Sequence, residues 1–348
     1  MKRILVTGAG GFIGHHLVKK LKNLGNYVIG IDIKHPEYEK SDADIFLIQD
    51  LTEQIGTEKI FSYFEFDEVY SLAANMGGME FLASGDNDAD VMYDSSQINL
   101  NIIRNCIKFN IKKVFYSSSA CVYNQTLQED SNVTALKESN AYPIFCDLEY
   151  GYEKIYAERV FMAHERNYGI EVRIARFHNI FGTLGTWEGN RTKAPAAICR
   201  KVAEVEDGGE IEIWGDGLQT RSFLYVDECV EGILRLVDSD YNQPINIGSD
   251  ELISINDLSK MIIEISGKKN ITIKNIDGPL GVRGRNSDNT LIYEKLGWKP
   301  STKLIDGIKK TYEWVSEQVE KNNEWIYEID SEDVVWKRRF GSLDRVKA

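Results

Sequence analysis

The sequence has few cysteines, no long hydrophobic run and a shortage of positive charge, and each lack removes a class of function. The five cysteines, Cys106, Cys121, Cys146, Cys199 and Cys229, are scattered and odd in number, with no C-x-x-C pair. That pattern argues against a disulfide framework and against a zinc site, and it fits a reducing compartment. No stretch approaches the roughly 20 apolar residues of a membrane span. The opening run Ile4-Leu5-Val6 is soon broken by glycines at 8, 10, 11 and 14 and reads as a first buried strand rather than a signal peptide. A cytoplasmic protein without a membrane partner is therefore expected. The formal net charge of -13 would repel nucleic acid, although local arginines and helix N-termini can still hold a small anion. Internal repeats and low-complexity segments are also lacking. What is present is 348 residues, 43% of them apolar, enough for one large domain or two unequal ones.

Short apolar runs alternate with helical patterns in the first half, which predicts a parallel sheet with helices on both faces. Strands are expected at Ile4–Val6, Tyr27–Ile33, Ile45–Ile48, Glu68–Leu72, Lys113–Ser117 and Glu171–Arg176. Helices are expected at Gly14–Leu24, Glu53–Phe64, Gln97–Phe109 and Tyr150–Asn167. Residues 75–94, rich in Gly, Met and Asp, read as an irregular insertion of the kind that carries function. From about residue 180 the rhythm changes to short strands (Glu210–Trp214, Pro244–Ile247, Ile271–Ile276) among helices at Ala194–Glu206, Asp227–Val237, Ile255–Ile265 and Leu304–Val319. The expected fold is α/β: a Rossmann-type doubly wound parallel sheet with a smaller mixed α/β substrate-binding lobe. A division into 1–180, 181–325 and a tail at 326–348 follows, with some later segments returning to the first part and no role assigned to the tail.

The run Thr7-Gly8-Ala9-Gly10-Gly11-Phe12-Ile13-Gly14 ends the first strand and opens the first helix. Gly8 permits a tight turn, Gly11 lets backbone approach a pyrophosphate and Gly14 allows close helix–strand packing. Phe12 and Ile13 sit at the helix N-terminus, whose unpaired N–H groups suit phosphates. Alone such a run is as readily a structural turn. Asp32, at the end of the second strand, changes that reading, because an acid there accepts the adenosine ribose hydroxyls and repels a 2′-phosphate. NAD is expected over NADP. Asp50-Leu51 and Leu72-Ala73-Ala74 follow the third and fourth strands, at the carboxyl ends where ligands bind in such sheets.

Tyr150 and Lys154 stand four apart on one helical face. A phenol that ordinarily titrates at about 10 becomes a usable base when an ammonium and a nicotinamide cation lie beside it. Ser119, in the serine run ending the fifth strand, can bring a hydroxyl to the same substrate oxygen.

Together the glycine motif, Asp32, Ser119 and the Tyr150/Lys154 pair resemble the extended short-chain dehydrogenase/reductases, over about residues 1–320. The resemblance implies tightly held NAD and oxidation of C4 of a nucleotide-linked hexose. Further stretches resemble the GDP-mannose 3,5-epimerases: Met76-Gly77-Gly78-Met79, Ser118 to Cys121, Arg176 to Ile180, Lys193 to Ala197, Trp214 to Phe223 and Gly281 to Asn289. That family implies Cys121 and Lys193 as the acid–base pair that moves protons at C3 and C5 beside a transient C4 ketone. A thiol and an amine both suit proton transfer near neutrality once burial and neighbouring charge adjust them. It also implies Arg221, Arg283 and Arg285 as a diphosphate clamp, Asn179 as a hydrogen-bonding residue, and Met76, Gly77 and Gly78 as the loop against the hexose. The products would be GDP-L-galactose and GDP-L-gulose. Asn75 and Asn124 replace an Asp and a Pro of the plant enzymes around the sugar pocket. A GDP-hexose or GDP-heptose 4-oxidoreductase or 4-epimerase therefore stands as the alternative, and a non-catalytic NAD-binding sensor as a remoter one. A homodimer through the helices at Gln97–Phe109 and Tyr150–Asn167 is expected by analogy.

Overall fold

The computed structural model describes residues 1–323, 325–330 and 333–338; the rest of the tail lies outside the described residues. In the first half the chain runs β1 (Arg3–Thr7), α1 (Phe12–Asn23), β2 (Tyr27–Asp32), β3 (Ile45–Ile48), α2 (Gln54–Tyr63), β4 (Glu68–Ser71), α3 (Met79–Leu82), α4 (Asp88–Lys108), β5 (Lys113–Ser119), α5 (Glu149–Tyr168) and β6 (Glu171–Phe177). It continues through β7 (Ile180–Phe181), α6 (Ala194–Glu204), β8 (Glu210–Trp214), β9 (Thr220–Ser222), β10 (Leu224–Tyr225), α7 (Val226–Asp238) and β11 (Ile245–Ile247). Then come β12 (Leu252–Ser254), α8 (Ile255–Ser266), β13 (Thr272–Ile276), β14 (Gly284–Arg285), α9 (Thr290–Leu296) and α10 (Leu304–Asn323). A last antiparallel pair joins β15 (Trp325–Asp330) to β16 (Asp333–Arg338).

Seven strands form one parallel sheet in the order β11-β6-β5-β4-β1-β2-β3. The central strands read as continuous apolar runs because helices cover both faces. Successive residues of β1 divide between the two cores: Ile4 and Val6 join Leu17, Val18 and Ile233 on one face. Leu5 joins Ile29, Val69, Val114 and Phe161 on the other. The strand order reverses between β1 and β4, so a crevice opens at their carboxyl ends. Gly8, Leu72 and Ser119 all sit at that rim.

Two sequence expectations change. The helix expected from Gln97 starts nine residues earlier, at Asp88. Asp88 and Asp90 make its first turn look like loop, yet carboxylates there are favoured by the helix dipole. With α3 also inside it, the segment 75–94 is half helical rather than an irregular insertion. The strand expected at Pro244–Ile247 is one of the later segments that return to the first part, as the seventh strand of the main sheet with all three of its residues buried beside β6. Smaller sheets hold the remaining strands, and β9 lies between antiparallel β12 and parallel β14.

Candidate active site

The glycine turn is built so that no side chain crosses it. Gly8 has φ +70°, and a Cβ on it would come within 2.8 Å of the Ala73 nitrogen. Thr7 Oγ1 accepts from the backbone N–H of Leu72 and Ala73 at 3.2 and 3.3 Å, tying the turn to the end of β4. Helix α1 begins at Phe12 and Ile13 with Gly11 as an extended N-cap and no side-chain cap, so its first N–H groups face the crevice rim without an internal partner. Asp32 accepts from Gly10 N–H at 2.9 Å and from Ile33 N–H at 2.7 Å, which holds the carboxylate beside the turn. These residues fit a dinucleotide: an open N-terminus for the pyrophosphate and an anchored acid for the ribose. Leu51 is buried behind them, and exposed Asp50 turns one oxygen to Thr52.

Among the glycines of this turn Gly14 has the least room, for a Cβ would lie 2.0 Å from the Gly8 carbonyl oxygen. Because that neighbour is backbone, Gly14→Ala should cost about 1–3 kcal/mol and strip bound nucleotide from the protein. Urea unfolding and chromatography of the released nucleotide check both.

Ser119 ends β5, and its Oγ accepts from the Cys121 N–H at 3.2 Å. Helix α5 crosses the turn after β5 at Gly151, where a Cβ would lie 2.3 Å from the Cys121 carbonyl oxygen. This close crossing brings Tyr150 to the thiol: Cys121, Met76 and Leu148 pack against Tyr150, Phe81 and Val91. Lys154, only 2% exposed, donates to the Ser117 carbonyl at 3.1 Å, with Nζ 5.6 Å from the Tyr150 ring centre. Burial pulls the Lys154 ammonium down, opposed by Glu153, Cys121 and Glu158. Burial pushes the Tyr150 phenol up, helped by Cys121 and Glu153 and opposed by a hydrogen bond to Ser119. A further positive charge in the crevice would ease its deprotonation.

Lys193 stands at the N-cap of α6, its amine pulled below the usual lysine range by burial while Cys121 and Cys229 oppose the shift. The loop at Met76–Gly78 lies against the same segment. Gly78 N–H donates to the Arg191 carbonyl, and a Cβ on Gly78 would come 2.2 Å from the Thr192 oxygen. Arg191 in turn donates to the Met76 carbonyl at 2.7 Å. Gly77 and Gly78 thus serve this packing against Phe81 and Thr192. Asn179, in the left-handed region at φ 44°, donates to the Ser222 carbonyl at 2.9 Å and links the end of β6 to β9.

Arg221 and Arg285 are register partners on β9 and β14. Arg221 spends its fork on the carbonyls of Thr220, Leu280 and Val282, and burial and the Arg285 charge lower its affinity for its proton. Arg283 is set apart, its guanidinium in a two-fold pair with Asp216 at 2.8 Å for both contacts. Two residues that the sequence reading missed complete the cluster, Gln128 and Asp147. Both contact the Arg285 guanidinium from positions more than a hundred residues away in the chain. No local spacing signals them.

Fold, glycine cradle and serine–tyrosine–lysine group together define a nucleotide-dependent enzyme of the short-chain dehydrogenase type. Residues 4–248 match the model of the NAD dependent epimerase/dehydratase family, and the chain belongs to that family. The chain is 47% identical to GDP-mannose 3,5-epimerase 1 of Oryza sativa subsp. indica over 321 residues, 92% of this chain and 83% of that one. The same identity and shares hold for GDP-mannose 3,5-epimerase of Arabidopsis thaliana. Among solved structures, UDP-glucose 4-epimerase of Thermotoga maritima with UDP-glucose superposes with a TM-score of 0.81 at 28% identity, covering 91% of this chain and 99% of that one. The cofactor is NAD, as the family requires.

Proposed function

We propose that the chain inverts C3 and C5 of GDP-mannose through a 4-keto intermediate, giving GDP-L-galactose and GDP-L-gulose. The observation that carries this reading is a thiol and a lowered lysine amine gathered at one crevice beside Tyr150, in a chain similar to 3,5-epimerases along nine-tenths of its length. NAD, when bound, supplies the reversible hydride acceptor for C4, which renders the protons on C3 and C5 acidic. Tyr150 takes and returns the C4 hydroxyl proton, with Ser119 and Lys154 orienting it. Cys121 and Lys193 remove and deliver the carbon-bound protons, because inversion needs a donor and an acceptor on opposite ring faces. Arg221 and Arg285, whose forks are engaged within the protein, turn their positive charge toward the diphosphate, and Arg283, once released from Asp216, offers it a planar fork. Residues 1–180, with later segments, carry the cofactor, and 181–325 carry the sugar nucleotide.

Incubating the enzyme with GDP-mannose in heavy water tests the assignment. Deuterium at C3 and C5 is expected; deuterium at neither carbon overturns it in favour of a 4-epimerase or 4-oxidoreductase. An amine base works only when neutral, so wash-in through Lys193 should rise as pH climbs through its lowered titration range. Lys193→Arg, which holds its proton throughout, should lose about 10²-fold of the wash-in rate together with that rise.

We further propose a cytoplasmic homodimer. Exposed Tyr93 and Tyr156 on the adjoining helices α4 and α5 support an interface there, and five unpaired cysteines support a reducing compartment. Light scattering after gel filtration tests the dimer.

A further inference from the structure

We propose that Asp147 and Gln128 are positioning residues for the Cys121 thiol, acting through the Arg285 guanidinium. The inference rests on the reading of Cys121 as an acid–base group. Arg285 is 6% exposed and uses three edges of its fork. Nε donates to Gln128 Oε1 at 2.5 Å, Nη2 to Asp147 Oδ2 at 3.4 Å and Nη1 to Cys121 Sγ at 3.3 Å. A guanidinium is planar and rigid, so holding two of its donors fixes the direction of the third.

Each holder is itself constrained. Gln128 is fully buried, and its amide Nε2 donates to the carbonyls of Tyr123 and Asn124 at 3.2 and 3.3 Å. Those bonds force its oxygen toward Arg285. Asp147 has a side chain only 8% exposed, and its Oδ1 is buried with no hydrogen-bond partner. A buried carboxylate with one oxygen unmatched costs stability, and an apolar residue would avoid that cost. Its place against the Arg285 guanidinium fits a role in directing the cation.

The neighbouring thiol has different hydrogen-bond surroundings. Cys146 contacts the Val122 carbonyl at 3.8 Å and has no such donor. Burial, with Asp147 and Cys121 adding to it and Arg285 opposing, pushes Cys146 up to about 12. When Cys121 acts as base, the S–H bond forms as the C–H bond breaks and the electron pair passes toward the C4 oxygen. An aimed N–H steadies the sulfur anion before transfer, and Asp147 balances the added positive charge.

The test follows alkylation of Cys121 by iodoacetamide across a pH series in the purified NAD-loaded enzyme without substrate, read by peptide mass spectrometry. Cys146 serves as the internal control. Asp147→Ala should raise the pH midpoint by about one unit, a tenfold drop in labelling at fixed pH below it. Asp147→Asn, whose carboxamide oxygen still accepts from Nη2, should stay near the wild-type midpoint. A fall in both variants would mean that Asp147 acts only as a nearby anion, and an unmoved midpoint in Asp147→Ala would mean that it does not act on the thiol; either overturns the proposal. Should Asp147→Ala lose its nucleotide and fold, Gln128→Met reads the other anchor. The same upward shift is expected there, and an unmoved midpoint overturns the proposal. The other ionisable groups that feel the Cys121 charge are Cys146, Tyr150, Lys154, Lys193 and Arg221, and none is changed in these variants. Deuterium wash-in by the wild type separates the two readings. Wash-in with unmoved midpoints removes only the positioning role, and shifted midpoints without wash-in remove only the epimerase assignment.

Discussion

Cys121→Ala should reduce deuterium wash-in from heavy water by about 10³-fold, the usual scale for losing a positioned acid–base group, while leaving NAD bound. The cradle proposed for the nucleotide, Gly8, Gly11, Gly14 and Asp32, lies outside the cluster that packs on Cys121, so its occupancy should not change. Reduction of the cofactor by substrate should also survive, because Tyr150, Ser119 and Lys154 keep their places. Absorbance of the reduced nicotinamide and NMR of the recovered sugar nucleotide read these two events separately. A variant that still exchanges C3 and C5 protons at the wild-type rate would remove the thiol from the reaction.

Tyr150→Phe should have the complementary effect. Burial raises the affinity of its hydroxyl for the proton, and in the proposed reaction that hydroxyl takes the C4 proton, so loss of the oxygen removes the step that makes the ketone. Turnover should fall by about 10³–10⁴-fold, and both cofactor reduction and deuterium wash-in should vanish together. No ketone means no acidic carbon, however intact Cys121 and Lys193 remain. If wash-in persists without cofactor reduction, proton exchange does not depend on oxidation at C4. The chemistry proposed here would then be wrong at its first step.

What the sequence could disclose was whatever rests on short-range spacing. The glycine turn, the acid ending β2 and the tyrosine–lysine pair are each contained in a few consecutive residues, and their neighbours in space follow from strand and helix geometry. Cys121 and Lys193 came by resemblance, since neither spacing nor composition distinguishes a reactive thiol from a packed one. The start of α4 was obscured because its first turn carries acids and buries only Val91 before Ser95. The pairing of Arg283 with Asp216 could not be read, because charge in a sequence carries no partner. Asn75 offers a further case. It donates to Asp94 at 3.0 Å and accepts from Arg191 at 3.2 Å, so a carboxylate at 75 would meet another carboxylate. Only the folded chain shows why an amide suits that position.

The placement of β11 bears on how this molecule can change. The chain completes β8, β9 and β10 before it returns to line the flank of β6. A break near residue 180 would therefore leave two polypeptides, one with the β6 edge bare and the other with an orphaned strand, both prone to mispairing. The two regions cannot be exchanged between enzymes like separable modules. Replacements within the loops that meet the crevice leave this sheet whole.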